Sequence, residues 1–342
     1  MSRYLGVDLH RNCFTVCTQL ETGRQYLSTH DLKSLPKFVS RLRADDAVAV
    51  EVTGNTRLFH DAVAPYVARV AVVNPFQFGV IRKSVKKTDE HDARALALFL
   101  SKDMLPEVRM KDQEHAEMAS LAQTRDKLVK SRTTMKNKVN NLLSARGINL
   151  PKESLASEKG LQEVSGMCFG STVDVELEVL VEQIRGLNQS IVKIENAISE
   201  QGPKLPGYDN LKSIKGIGDV SAGVLLSVIG DVNDFAHEGK LAAYFGIVPR
   251  VSNSNETQHS GRITKRGSKL GRTVLIQCAL IAQRYSPYLH EYYERIKARR
   301  GTGKAIVALA RKLLGIIYRT LKHNWTFEDF PNFVLVDQET QA

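Results

Sequence analysis

The sequence predicts an α/β unit followed by an all-α remainder. Three observations predict it. Residues 1–105 alternate short apolar runs with runs of helical spacing. Residues 110–200 carry two long stretches almost free of Gly and Pro, with apolar residues on one helical stripe. Beyond Gly202-Pro203 and Pro206-Gly207 the chain becomes strongly basic and mainly helical. At 342 residues it is too long for one small core, so boundaries are placed at 1–107, 108–202 and 203–342.

In the first region Tyr4–Leu9 is apolar and extended. Cys13–Leu20 and Gln25–Ser28 follow with strand-like composition, parted by Glu21-Thr22-Gly23. Three strands joined by short turns predict an antiparallel meander. Leu35–Leu42 has helical spacing, Ala47–Val52 is a buried strand, and Leu58–Val67 is a helix. Val70–Val73 is a strand closed by Asn74-Pro75, and Asp89–Leu100 is a helix with Thr88 as its N-cap. The order β-β-β-α-β-α-β-α is that of the ribonuclease H-like fold.

Four acids fall at positions where one site can use them all. Asp8 lies at the end of the first strand and Glu51 at the end of the fourth. Asp89 and Asp92 are three residues apart at a helix start and share a face. Each alone is ordinarily structural, Asp89 complementing the helix dipole and Asp92 pairing with a nearby cation. Four carboxylates brought together repel unless a cation joins them. Hard oxygen donors suit Mg²⁺, with Mn²⁺ as a substitute, and such ions serve phosphodiester chemistry.

The second region holds His115–Leu143 and Val173–Ile198, two amphipathic helices around a loop that includes Asn149-Leu150-Pro151 and Gly166–Gly170. They predict an antiparallel hairpin, and the long apolar stripe predicts a dimerisation arm. In the third region Leu211-Lys212-Ser213-Ile214-Lys215-Gly216-Ile217-Gly218 precedes the helix Val220–Ile229. This pattern predicts a helix-hairpin-helix, with Gly216 and Gly218 admitting a phosphate backbone beside Lys212 and Lys215. Arg250 then precedes the polar stretch 251–260, expected as an exposed loop offering Ser252, Ser254 and Ser260. Arg262, Lys265, Arg266, Lys269 and Arg272 follow, a density that predicts phosphate contacts.

Two other patterns are declined. Arg300-Gly301-Thr302-Gly303-Lys304-Ala305 lacks the first glycine and the hydroxyl of a phosphate loop, so it is expected to be a turn between basic helices. The nine histidines have no zinc-hydrolase spacing. The net charge of +11 favours a nucleic-acid partner. No signal region or bilayer-spanning run is present, and Cys13, Cys17, Cys168 and Cys278 form no C-x-x-C pair. A cytoplasmic protein with reduced thiols and no membrane partner is expected.

These motifs together resemble the DEDD transposases of the bacterial insertion-sequence family 110, relatives of the Piv/MooV DNA invertases. Asp8, Glu51, Asp89 and Asp92 match the family's acids in order, and Lys87-Thr88-Asp89-Glu90-His91-Asp92-Ala93-Arg94 matches its central block. Ile214–Gly218, Leu241–Arg250 and Gly261–Ser268 match hallmarks of its C-terminal transposase domain. The resemblance implies a RuvC-like metal site in the first region and a serine nucleophile in the last. Spacing back from Gly261-Arg262-Ile263-Thr264-Lys265 puts that serine at Ser254, with Ser260 as the alternative. Asn255 stands where the family has glycine after the serine, and Asn tolerates left-handed backbone angles. The resemblance further implies donor and target DNA, a structured noncoding bridge RNA that guides target choice, and a dimer or tetramer. A hydrolytic, metal-dependent junction resolvase is the competing enzyme, and a DNA-binding architectural protein the competing non-enzyme.

Overall fold

The structure is a computed structural model that describes residues 3–74, 78, 88–170, 172–254 and 257–328. Pro75 and Asn255 lie outside the described residues, as do the side chains of residues 251–260. The chain forms two compact units, Met1–Met110 and Lys111–Ala342.

The first unit is built on one five-stranded sheet of order β3-β2-β1-β4-β5, with β1 Arg3–Leu9, β2 Cys13–Leu20, β3 Gln25–Asp31, β4 Ala47–Glu51 and β5 Arg69–Val73. β1, β2 and β3 pair antiparallel, as the closely spaced runs predict, and β1, β4 and β5 pair in parallel. Parallel strands need crossovers, and helices provide them. Helix α1 spans Leu35–Val39, α2 Thr56–Val63 and α3 Asp89–Ser101.

Side-chain alternation sorts the two faces. Val7, Leu9, Val48 and Val50 pack with Phe38 and Phe59 of α1 and α2. The opposite face carries small residues and takes α3. Ala49 and Ala71 cluster there with Ala95 and Leu96. Gly6 of β1 lies against that helix, and a Cβ added at Gly6 would come 2.1 Å from the Ala93 carbonyl oxygen and 2.3 Å from the Ala97 nitrogen. The bare backbone at Gly6 therefore sets how closely α3 approaches β1.

The second unit begins with α4 Gln113–Ser144 and α6 Thr172–Gln201. They run antiparallel: Val139 and Leu143 near the end of α4 cluster with Leu177 and Val181 near the start of α6. Arg125 pairs with Glu195 in the same sense. The connection between them is partly helical, with a 3-10 turn Ser154–Ala156 and α5 Glu158–Ser165. Leu155, Leu161 and Val164 plug the end of the hairpin. The long α6 stripe is thus buried within the chain, against α4 and the connecting segment, so it does not by itself require a second copy. Only scattered apolar residues of α6, such as Val175 and Val192, remain exposed.

α7 Tyr208–Lys212 and α8 Asp219–Ile229 follow. Residues 222–229 of α8 are all buried, making it the centre of the unit. At Gly223 an added Cβ would meet Ile198 at 2.9 Å and Met118 sulfur at 3.1 Å, so the bases of both long helices rest on α8. Around it pack α9 Glu238–Tyr244, α10 Lys269–Ala282, α11 Pro287–Arg300 and α12 Thr302–Lys322. Gly301 alone links α11 to α12, with a φ of 78°, as expected for a turn between basic helices.

The polar stretch expected as a loop is instead an antiparallel hairpin, β6 Pro249–Ser254 with β7 Thr257–Ile263. Its sequence has too few apolar residues to alternate, which hides the strand signal. Among the described residues, no helix is long and apolar enough to cross a membrane.

Candidate metal centre and nucleic-acid interface

Asp8 and Glu51 sit at the ends of neighbouring parallel strands whose register pairs Val7 with Val50. Period-2 alternation puts Asp8 on the Gly6 face and Glu51 on the Ala49 face, the side covered by α3. Close packing of α3 on β1 delivers the first turn of that helix, which carries Asp89, Glu90 and Asp92, to the same edge. Thr88 caps this turn as predicted, accepting from the His91 amide, and its extended φ of −137° ends the helix there.

The structure brings Asp8, His10 and Asp89 together, with ligand atoms within 4.8 Å of one another. His10 Nε2 lies 3.2 Å from Asp8 Oδ2 and 3.3 Å from Asp89 Oδ2. The imidazole thus bridges the two carboxylates. Asp8 is buried and its carboxyl is raised above the ordinary value: desolvation is the main cause, Asp89 and Asp92 add repulsion, and His10 opposes them. Asp92 Oδ1 is buried and makes no hydrogen bond; His91 Nδ1 lies 3.7 Å from it, beyond hydrogen-bond reach, so the acceptor is one that a cation would satisfy. Oxygen donors on two elements, mutual repulsion and an orphaned buried oxygen fit a hard divalent ion.

Sequence reasoning passed over His10. Its signal was the Asp8-Leu9-His10 period, which returns the third residue to the side of the first. Asn55 was passed over too. Its side-chain amide donates to the His10 carbonyl at 3.0 Å and the Arg11 carbonyl at 3.1 Å, tying the turn after β1 to the loop after β4. At the start of α2 the Thr56 hydroxyl donates to the Glu51 carbonyl at 2.8 Å. Both acid-bearing strand ends are therefore held by backbone contacts.

The basic residues of the second unit divide into those engaged by the protein and those facing outward. Lys212 pairs with Asp219 and lies over the Tyr208 ring. Tyr208 donates to the same Asp219 at 2.7 Å, and these two partners hold the Asp219 carboxyl below its usual range. Gly216 adopts a φ of 105°, and an added Cβ would come 2.6 Å from the Ala282 nitrogen. Its bareness serves packing against α10. Gly218 is open, the N-cap of α8, with Lys215 exposed nearby.

Arg272 turns inward. Its guanidinium donates to the Phe245 carbonyl at 3.1 Å and the Gly267 carbonyl at 3.2 Å, and burial lowers its affinity for the proton. Gly246 and Gly267 lie where those two segments cross. A Cβ at Gly246 would come 2.1 Å from the Arg266 carbonyl oxygen, and one at Gly267 would come 1.9 Å from that of Tyr244. This crossing fixes the base of the hairpin. Arg250, Arg262, Lys265, Arg266 and Lys269 are exposed around it. Ser254 ends β6, paired with Thr257 at the hairpin tip, and Ser260 pairs with Val251 lower down.

An α/β unit with carboxylates at two strand ends and one helix start, followed by a basic helical unit, defines the class. Two family models match the chain. A DEDD-type IS110 transposase model matches residues 5–146, and the model described as the transposase IS116/IS110/IS902 family matches residues 208–294. The chain belongs to this IS110 group of insertion-sequence transposases. It is 26% identical to the transposase for insertion sequence element IS1111A of Coxiella burnetii, over 95% of this chain and 91% of the relative. It is 26% identical to the pilin gene-inverting protein of Moraxella lacunata, over 95% and 97%. The transposase for insertion sequence element IS1328 of Yersinia enterocolitica is 26% identical over 92% and 95%.

Proposed function

We propose that this protein is a transposase of an insertion sequence that cuts and rejoins DNA through a phosphoserine linkage. The observation that carries the DNA-cutting reading is the gathering of Asp8, Asp89 and a metal-competent His10 at one sheet edge. Membership in a transposase family supports it. In this reading the first unit is a ribonuclease H-like, RuvC-like domain, and Asp8, Glu51, Asp89 and Asp92 hold Mg²⁺ or Mn²⁺. The ion supplies Lewis-acid stabilisation of charge on the phosphate. His10 joins as a nitrogen donor, which suits Mn²⁺ better than Mg²⁺.

Ser254 is the nucleophile. Its Oγ forms a bond to phosphorus while the bond from phosphorus to the departing strand oxygen breaks. The seryl proton leaves to solvent, and the departing oxygen takes one up. One phosphoester replaces another, so an incoming hydroxyl reverses the step and rejoins strands without a nucleotide cofactor. The backbone position of Ser254, at the end of β6 where it pairs with Thr257, supports this role. Lys215 and Gly218 at the start of α8, together with Arg250, Arg262, Lys265, Arg266 and Lys269, hold phosphates without reading sequence. Target choice then falls to pairing with a structured noncoding RNA, and the protein works as a dimer or tetramer. The chain's net charge of +11 suits an RNA–DNA assembly.

The test is trapping of a covalent protein–DNA adduct on the element's own junction with Mg²⁺. Wild type is expected to give the adduct, and Asp8→Asn and Ser254→Ala to bind DNA without forming it. Cleavage by Ser254→Ala at the wild-type rate with no adduct would assign hydrolytic chemistry. An adduct that persists in Ser254→Ala and disappears in Ser260→Ala would move the nucleophile to Ser260.

A further inference from the structure

Residues 241–322 carry 16 Lys and Arg against three Asp and Glu, an excess greater than the +11 of the whole chain. The cations on α12 do not scatter. A groove of about 1090 Å³ runs between one face of α12 and the base of the β6–β7 hairpin. Lys304, Arg311 and Arg319 of α12 line it along one stripe, at steps of seven and eight residues. Arg262 and Lys265 face them from the hairpin base, and Arg300 closes the end.

Among the described residues, one carboxylate lines this groove. Glu238 is engaged by Arg319 at 3.1 Å. Arg262, Lys265, Arg300, Lys304 and Arg311 have no carboxylate partner among the described residues. Lys304 and Arg311 are exposed on a helix whose buried face is complete without them. A protein gains nothing in stability from crowding unpaired cations, which repel one another. The floor is apolar, with Ile247, Val307 and Ala308, and Tyr292 stands at the edge with the Lys312 ammonium 5.6 Å from its ring centre.

We infer that this groove binds a single-stranded polynucleotide segment, phosphates against the α12 stripe and bases against Tyr292 and the apolar floor. Cations along a channel with an aromatic platform are the combination that single strands need. A duplex turns its bases inward and would leave the apolar floor unused. The stripe from Lys304 to Arg319 is about 22 Å long at 1.5 Å per residue. At 3.4 Å per nucleotide along a strand that is about six nucleotides. From Pro249 to Ser254 the hairpin rises about 16 Å. The groove therefore holds a strand flanking the cut bond rather than the bond itself. The choice of a polynucleotide rests on the DNA-acting function proposed above, but binding here requires no cleavage.

The test is fluorescence anisotropy of the full-length protein with a labelled 20-nucleotide single strand, as DNA and separately as RNA, from 50 to 400 mM KCl. Lys304→Ala with Arg311→Ala is expected to weaken binding at least tenfold at low salt. It should also flatten the log–log salt dependence by about 1.4, or 0.7 for each lost phosphate contact. The charge-matched control Lys33→Ala with Lys37→Ala, exposed and outside the groove, is expected to leave the slope unchanged. Tyr292→Leu should weaken binding about fivefold or more while Tyr292→Phe retains it. The DNA and RNA arms tell which strand is preferred. An unchanged slope in the α12 double variant overturns the proposal. So does displacement of the strand by a 20-residue polyglutamate as effective as unlabelled oligonucleotide, which would assign the groove to an acidic peptide. Loss of the covalent adduct with these binding effects intact would count against the serine mechanism alone.

Discussion

Asp46 is fully buried, a carboxylate with no access to water. Arg3 makes this tolerable: its Nε donates to Oδ1 at 2.7 Å and its Nη2 to Oδ2 at 2.6 Å, while the Arg43 amide donates to Oδ2 at 2.8 Å. The pair ties the start of β1 to the start of β4, upstream of the two acid-bearing strand ends. Removing one partner leaves an uncompensated buried charge, so Arg3→Met is expected to cost about 3–5 kcal/mol in urea denaturation. A loss under 1 kcal/mol would mean that the Arg3–Asp46 pair adds little to the stability of this unit. Lys111 carries a different burden. Its ammonium donates to the Ser227 carbonyl and, at 3.3 Å, to that of Val228, at the end of α8. Burial pulls its pKa from 10.5 down to about 8. Between those values the unfolded chain holds a proton that the folded chain has released, so stability from this group rises with pH. From pH 7.5 to 9.5 the gain is about 1–2 kcal/mol. Lys111→Met should abolish that rise, and an equal rise in the variant would trace it to other groups.

At the scale of elements, the contact of α3 with β1 builds the candidate metal centre. Gly6→Ala introduces a Cβ into the backbone of α3, and the helix must lift or the strand must bend. A loss of about 2–3 kcal/mol is expected, with weaker Mn²⁺ binding by titration because Asp89 and Asp92 move with the helix. Stability lost without any change in Mn²⁺ affinity would separate packing from the site. The order of elements along the first unit and the α3 N-cap were legible in the sequence because apolar runs, turns and Thr88 are local signals. Asp8 and Glu51 stand out in the sequence because they end such runs, and Asp89 and Asp92 because they follow Thr88 at a helix start. The β6–β7 hairpin was not, since polar residues on both faces erase the alternation that marks a strand. Gly246 and Gly267 were visible as motif residues, but their role in a backbone crossing depends on segments 21 residues apart. The fate of Lys212 and Arg272 was equally hidden. Sequence shows a cation and not whether Asp219 or a carbonyl has claimed it.

For the whole molecule, charge is divided by unit. The carboxylates that suit a divalent ion lie in Met1–Met110, and the dense cation stretch lies in Lys111–Ala342. A metal that binds only the folded acid cluster stabilises the unit that contains it, by about 2.7 kcal/mol at a hundredfold excess over Kd. That effect is local when units open separately, since exchange protection follows each cooperative region. Peptide-resolved hydrogen exchange with and without Mn²⁺ measures it. Protection is expected to rise in peptides from β1, β4 and α3 and to stay unchanged in α12 and the hairpin. Asp8→Asn should remove the rise while leaving baseline protection in place, because the lost carboxylate was under repulsion from Asp89 and Asp92. Protection that rises equally in both units would show that metal acts elsewhere on the chain, or that the units unfold together. Protection that rises in Asp8→Asn as in wild type would remove Asp8 from the metal site, and with it the electrostatic reason for gathering these acids at one sheet edge.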